Sequence, residues 1–523
     1  ENSLQILRDL VSTAMSPRHA LLLVAAAGAW APEAEYAAFH GNSQATWRGR
    51  VDAELDRSLN ALPQRTTKDE SVQAVRDLLN HNYRRRAVVL LFGRVFVDRE
   101  FLPGEKVRSL VATLLSSHRL GVPLKNVIFL HQPAADGGRR GNCIAPDLPM
   151  TVIAKGRGYG QCGILIPNPY FGSSQTMRTK PGDLATWHRQ ASSLKTVSKA
   201  RPFAMRDVRA MWRGKCLNHE NRLNGTARNY SEHRAEMHRR HAEGDFSHGH
   251  RIRADQRQLK HSRKEKVLRH RRERAERDRQ VWLESRGHCN SDIEEGNRAR
   301  LLAAALSAKR PDLFDIKCSF LDPPRNFSCV KDAAERLTLE EALRVVDGAP
   351  SSVVDKAWIP RADFARYKVL VNLPGETTGS YSRNLNHLWA TGAAVAFWEA
   401  PYVEWYYPAL QNGITHESID YANAVDVLDG LQRDSARINT LLENARRVDA
   451  ELVCASCMAD YYRRVVDGIR QRMRYDLVLD DAKTVLAIAE AAGACELVEA
   501  RTLPDKHGAY TEIEPGDGLC DVL

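Results

Sequence analysis

YKVLVNLPGETTGSYSRNLNHLWATG, residues 367–392, sets the fold class. A hydrophobic strand, 367–373, runs into a Gly/Thr/Ser loop, 374–382, and then directly into a helix, 383–391, that ends at Gly392. The first turn of such a helix offers unbonded N–H groups and a partial positive charge, and Gly375 and Gly379 let the backbone approach an anion closely. Ser380, Ser382 and Arg383 add hydroxyl and guanidinium donors suited to phosphate oxygens. Most loops of this composition merely connect elements; this one gains interest from its place in a βα step.

Outward from that stretch the alternation continues. Upstream lie a helix over 296–308 and a strand at 313–318; downstream come strand 393–398, helix 403–411, strand 414–419 and long helices from 421 to 495. This order predicts a parallel sheet with right-handed crossovers. The N-terminal part predicts helices at 3–15, 18–30 and 69–82, the last started by Thr67-Lys-Asp-Glu. Two β-rich pieces flank Gly93 within 87–97, followed by a helix at 105–118, a strand at 126–132 and a loop-rich stretch, 133–200. Two such halves predict an α/β protein with two doubly wound units, in which ligands bind at the carboxyl ends of the strands.

Composition fits that class. The chain has 523 residues, enough for about three domains, with 43% hydrophobic and 27% charged residues. Its longest apolar run, Ala20–Ala31, is 12 residues, short of the roughly 18 that a membrane-spanning helix needs. It reads as a buried Ala/Leu helix in preference to a signal h-region. The net charge of +11 is concentrated: residues 228–286 hold 18 Lys/Arg against 10 Asp/Glu, together with seven of the 18 histidines. The body is nearly neutral, so overall charge does not point to nucleic acid. The segment 217–290, almost free of large apolar residues, reads as a solvated insertion whose later part, 253–284, can form a single helix. Its rival reading, a polyanion-binding arm, lacks aromatic residues among the basic ones of 251–280 to stack bases.

Ten cysteines show no zinc-ribbon spacing, and the irregularly spaced histidines of 233–270 read as a solvated face. Cys454 and Cys457, in a helical stretch, read as a structural or disulfide pair, because a redox CxxC normally opens a helix and a zinc site needs two more ligands. Sequons at Asn224, Asn229 and Asn326 point mildly to a secretory lumen.

The stretch 367–420 resembles glycosyltransferase family 90, the capsule-protein and protein O-glucosyltransferase-like group. The likeness rests on Tyr367-Lys368, Asn372, Gly375, Ser382-Arg383-Asn384-Leu385, Thr391-Gly392 and Pro401-Tyr402-Val403-Glu404-Trp405-Tyr406-Tyr407. Met211-Trp212-Arg213-Gly214 is similar to the family's aromatic-Arg-Gly motif, and Gly296-Asn297-Arg298-Ala299-Arg300-Leu301 to the helix that follows it. Gly163–Phe171 and Phe92–Val97 resemble two further segments, so the likeness covers about residues 85–500.

The resemblance implies a GT-B fold, two Rossmann-like domains facing a cleft, with extra N-terminal helices and a long basic insertion. The expected division is an N-terminal helical region at 1–84, an acceptor domain at 85–205, a UDP-sugar domain at 206–500 interrupted by 217–290, and a tail at 501–523. It implies an inverting, metal-independent transferase that moves glucose or xylose from a UDP-sugar to a hydroxyl of a protein or glycan. No cofactor and no nucleic-acid partner are expected. The expected place is the lumen of the Golgi or endoplasmic reticulum, with membrane contact only through an anchor upstream of Glu1.

Inversion needs a base for the acceptor hydroxyl. Asp136 is the candidate, one position later than the family pattern, with Asp147 and His131 behind it. Arg213, Arg300 and Arg383 would stabilise the leaving diphosphate, with Gly214, Gly375, Gly379, Ser380 and Ser382. Asn168, Tyr170 and Glu404 are placed at the acceptor side or cleft. Asn384 stands where the family generally has Arg, and Arg383 beside it is a substitute. The rival from another class is a catalytically silent relative that binds a glycan or protein.

Overall fold

The computed structural model describes residues 47–133, 145–156, 163–168, 170–172, 182–217, 295–322, 327, 330, 332–355, 359–375, 385–398, 400, 402–504 and 511–523. The helices expected at 3–15 and 18–30, and the insertion beyond Leu217, lie outside them.

Helices α1 (Trp47–Asn60) and α2 (Lys68–Leu79) lead into strands β1 (Ala87–Leu91) and β2 (Arg94–Val97), helix α3 (Glu105–Arg119) and strand β3 (Val127–Gln132). Short strands β4 (Met150–Val152), β5 (Lys155–Gly156) and β6 (Ile164–Leu165) precede helix α4 (Leu184–Ala200). Next come β7 (Asp207–Leu217), α5 (Glu295–Lys309), β8 (Phe314–Asp322), α6 (Ala333–Gly348), α7 (Pro350–Val353) and β9 (Tyr367–Asn372). Helix α8 (Leu385–Leu388), β10 (Ala394–Trp398), β11 (Tyr402–Val403) and β12 (Glu417–Ile419) follow. The chain ends with α9 (Ala424–Arg433), α10 (Ser435–Glu451), α11 (Ala455–Met473), α12 (Ala482–Ala491), β13 (Val498–Pro504), β14 (Thr511–Gly518) and α13 (Leu519–Val522). None of the described helices is long and apolar enough to cross a membrane.

The described residues form two compact units. The first takes in the chain up to Ser192, Val403–Thr415 and Arg446–Leu523. Its sheet has the order β14-β13-β2-β1-β3-β4-β6. Only β3, β4 and β6 are parallel; the remaining neighbours are antiparallel. The physical cause starts at the turn between β1 and β2. Phe92 and Gly93 both have positive φ, +51° and +78°, the two-residue turn that matches strand twist and forces a hairpin. A doubly wound, all-parallel reading of this half is therefore corrected to a mixed sheet. Strand β1, Ala-Val-Val-Leu-Leu, is buried at every position, as a central strand covered on both faces must be.

The second unit takes in Ser193–Tyr402 and His416–Ala445. Its sheet, β12-β10-β9-β7-β8, is parallel throughout, as the alternation after 293 predicts. Its core gathers Leu301, Phe314, Ile316, Leu339, Val371 and Leu441, all almost fully buried.

Helix α2 begins as its sequence predicts, with Thr67 and Glu70 forming a reciprocal capping box. Three local expectations change. The stretch taken as loop-rich includes α4, whose buried Leu184, Trp187, Ala191 and Leu194 fall at helical spacing. The helix expected at 403–411 is instead β11 and a 3₁₀ turn at Tyr407–Ala409. Glu404, Trp405 and Tyr406 are consecutively buried, which no single helix face allows, and Pro408 lacks the N–H a helix would use. The helix expected at 383–391 is, within the described residues, the short α8 with a 3₁₀ turn at Trp389–Thr391, and it stops at Gly392 with φ +62°.

Disulfides join Cys216 to Cys318, Cys454 to Cys457 and Cys495 to Cys520 among the described residues, which fits an oxidising compartment. The first ties β7 to β8 across 102 residues of chain.

Candidate functional site

In the second unit the parallel strands bring together Arg213, Asp315 and Tyr367. Side chains alternate along a strand, so Trp212 and Arg213 of β7 take opposite faces. Arg213 donates from Nη1 to the Trp212 carbonyl at 3.0 Å and to the Asp315 carbonyl, and from Nη2 to Asp315 Oδ2 at 2.8 Å. The Tyr367 hydroxyl donates to the same carboxylate oxygen at 2.6 Å. Burial works to raise the Asp315 carboxyl, yet the bonds from Arg213 and Tyr367 hold it below its usual range. Burial and the anionic acceptor push the Tyr367 phenol up to about 12. Asp315 therefore stays ionised and balances the charge of Arg213.

The Trp212 indole faces a different group. Arg300, from the first turns of α5, places its guanidinium carbon 5.5 Å from the centre of that ring, within cation–π range. Its Nη2 donates to the Pro374 carbonyl at 3.0 Å, immediately before Gly375. A Cβ at Gly214 would come within 2.3 Å of the Trp212 ring, so only glycine leaves the indole its place under Arg300. Asn372, the last residue of β9, is 2% exposed, and its Oδ1 has no partner among the described residues. A guanidinium, an aromatic plane and the Pro374-Gly375 step thus meet near the carboxyl end of β9, while the buried Asn372 amide, alternating with Val371, lies at the same strand end on the opposite face. This set can hold an anionic or hydrogen-bonding ligand. Gly379, Ser380, Ser382 and Arg383 lie outside the described residues.

In the first unit Asn168 and Glu404 meet directly. Two buried phenols of α11 anchor the segment that carries Asn168: Tyr461 donates to the Leu165 carbonyl at 2.8 Å and Tyr462 to the Pro167 carbonyl at 3.3 Å. Asn168 donates from Nδ2 to Glu404 Oε2 at 2.7 Å, and its Oδ1 accepts from the Tyr170 amide at 3.0 Å. The Tyr407 hydroxyl donates to Glu404 Oε1 at 3.0 Å. Glu404 is 1% exposed and its donors, Asn168 and Tyr407, are neutral, so burial prevails and pushes its carboxyl up to about 8. At neutral pH this carboxyl holds its proton for most of the time and can exchange it.

His131, at the carboxyl end of β3, is buried and pushed down to about 3 by burial, with Lys106 adding to the effect. Its Nδ1 lies 3.0 Å from Thr151 Oγ1, which in turn donates to the Leu130 carbonyl at 3.3 Å. The ring is neutral with its proton on Nδ1, leaving Nε2 as an acceptor with no partner among the described residues. Asp136 falls outside the described residues, and Asp147 is an exposed residue whose carbonyl accepts from Arg65 at 3.5 Å.

Two of these partners escape a reading of the sequence alone. Asp315 does carry a signal, a single acid between buried Phe314 and Ile316 in an apolar strand, which needs a cation. Tyr407 carries none, because its role depends on the 3₁₀ turn that brings it back to Glu404. The sequence also places Cys454 and Cys457 within a helix, whereas Cys454 is the N-cap residue that opens α11. No protein-family model matches this chain, and no curated protein matches it.

Proposed function

We propose that the chain is a GT-B type, UDP-sugar-dependent glycosyltransferase of the secretory lumen. One unit would hold the nucleotide and the other the acceptor hydroxyl. The observation that carries the reading is the meeting of Arg300 and Trp212 with the backbone just before Gly375, at the carboxyl end of a strand in an all-parallel sheet whose last residue, Asn372, has a buried amide oxygen with no partner among the described residues. Parallel α/β sheets bind ligands at that edge. The guanidinium offers charge to a leaving diphosphate, and the indole and amide are suited to a base or ribose. In the other unit, the Asn168–Glu404–Tyr407 cluster supplies polar groups for a sugar or peptide hydroxyl. The resemblance assigns the proton-abstracting role to Asp136.

The test is release of UDP from UDP-glucose, UDP-xylose and UDP-galactose in the presence of EDTA, with and without Arg300→Ala. Release from one donor, and a loss of at least about tenfold in UDP affinity for the variant, is the expected result. No release and no thermal shift from UDP would move the assignment to a catalytically silent binding protein.

A further inference from the structure

We propose that the Cys454–Cys457 disulfide is a thiol-exchange site, reduced and re-formed by low-molecular-weight thiols or protein dithiols while the rest of the fold stays intact. The three disulfides of the described residues differ in what they hold. Cys216–Cys318 is buried and closes 102 residues of chain, and Cys495–Cys520 closes 25. Cys454–Cys457 closes three, so opening it frees almost no chain and costs the fold little. Cys454 and Cys457 are both half-buried residues, whereas Cys216 and Cys318 are buried.

The surroundings are those of a reactive cysteine. Cys454 caps α11, a helix of 19 residues, and its Sγ accepts the Cys457 amide N–H at 3.0 Å. A thiolate there gains that hydrogen bond and the positive end of the helix. Cys457 lines a small cavity with Arg48, Arg464, Trp405, Leu452 and Glu451. The two guanidiniums are each paired with a carboxylate, Arg48 with Asp460 and Arg464 with Asp52, so the helix end and the amide N–H carry the stabilisation of the sulfur. Trp405, which also lines this cavity, is 2% exposed, and its indole N–H has no partner among the described residues.

In the exchange, an external thiolate attacks Cys457 Sγ and the S–S bond breaks, releasing Cys454 as the stabilised thiolate. A second external thiol, deprotonated, attacks the external sulfur of the mixed disulfide. It leaves as the external disulfide, and the Cys457 thiolate takes a proton from solvent. Two thiols are oxidised and one disulfide is reduced, and the reverse sequence restores the pair.

The full-length protein, equilibrated in glutathione buffers of stepped reduced-to-oxidised ratio, would be alkylated and its cysteines read by peptide mass spectrometry. Cys454 and Cys457 should become alkylated at a glutathione ratio at least tenfold less reducing than either Cys216–Cys318 or Cys495–Cys520, with the circular dichroism spectrum unchanged. Cys454→Ser should accumulate a glutathione adduct on Cys457, whereas Cys457→Ser should show little on Cys454. A pair that stays oxidised throughout, or that opens only together with the other two, overturns the proposal, as does an adduct that prefers Cys454. None of these readouts depends on sugar transfer.

Discussion

Glu404→Gln should remove a pH dependence of stability that the wild-type protein carries. The carboxyl titrates at 4.5 in an ordinary setting and is pushed up to about 8 by burial, against the pull of Asn168 and Tyr407. The folded state therefore binds this proton more tightly than the unfolded state. The resulting stability is fully present below pH 4.5 and is lost as pH rises towards about 8. At about 1.4 kcal/mol per pH unit, the wild type should lose about 3 kcal/mol between about pH 5.5 and pH 8 through this group. Glutamine keeps the shape and an acceptor for Asn168, and the Tyr407 hydroxyl can turn to accept from the new amide. The assay is urea unfolding of both proteins across that range, followed by tryptophan fluorescence, since Trp405 stacks on Tyr461 at 4.6 Å beside the substituted residue. His131 gives a slope of opposite sign below its ordinary value of 6.5, but it is common to both proteins and cancels in the difference. The difference should shift towards the variant by about 3 kcal/mol from the acid to the alkaline end. Parallel curves would refute the reasoning: Glu404 would then be ionised in the fold, by a cation or water reaching it.

Gly214→Ala should force the Trp212 ring away from a Cβ contact of 2.3 Å. A cost of about 1–3 kcal/mol in a melting experiment is expected, together with weaker UDP binding by calorimetry as Arg300 loses its platform; an unchanged melting temperature would count against the packing. Paired Cys→Ser replacement should rank the disulfides by the chain they close. Loss of Cys216–Cys318 should cost about 5 kcal/mol, of Cys495–Cys520 about 3–4 and of Cys454–Cys457 about 2, read from urea midpoints; a reversed order would contradict the chain-entropy account.

The legible parts of the fold are those where local chemistry decides. Thr67 and Glu70 start α2 because their side chains and backbone satisfy each other within one turn. The break at Gly93 separates β1 from β2 because two positive φ values fit there. Strand direction is another matter. The order strand–helix–strand does not reveal that β1 meets β3 antiparallel, since the hairpin has already reversed the chain before α3 begins. Nor does local sequence place β13 beside β2, a pairing of Val498 with Val97 across 401 positions. Helix α4 was readable from the spacing of Leu184, Trp187, Ala191 and Leu194, but the turn-rich stretch before it dominates the composition. Of the candidate site, the residue types were visible and their pairings were not. Arg213 reads as a cation for a ligand until Asp315, 102 positions away, is seen to hold it.

That pairing bears on how the two carboxyls divide the chemistry. Asp315 sits against a guanidinium and stays ionised; Glu404, more deeply buried, meets neutral donors and keeps its proton to about pH 8. Environments that push two acids apart in this way separate a fixed charge from a movable proton. Asp315 can orient Arg213 and Tyr367 but has no proton to give near neutrality. Its charge also lowers the pull Arg213 exerts on a phosphate. Under the proposed function, the stabilising of a diphosphate falls more to Arg300, which donates to the Pro374 carbonyl and lies over the Trp212 ring. Glu404 has the opposite character. With its proton on, it can donate to an acceptor oxygen; with it off, it can only accept. Under the proposed function, a group of that kind would serve where an acceptor hydroxyl is held. Its two hydrogen-bond partners, Asn168 and Tyr407, fix where that hydroxyl would have to sit.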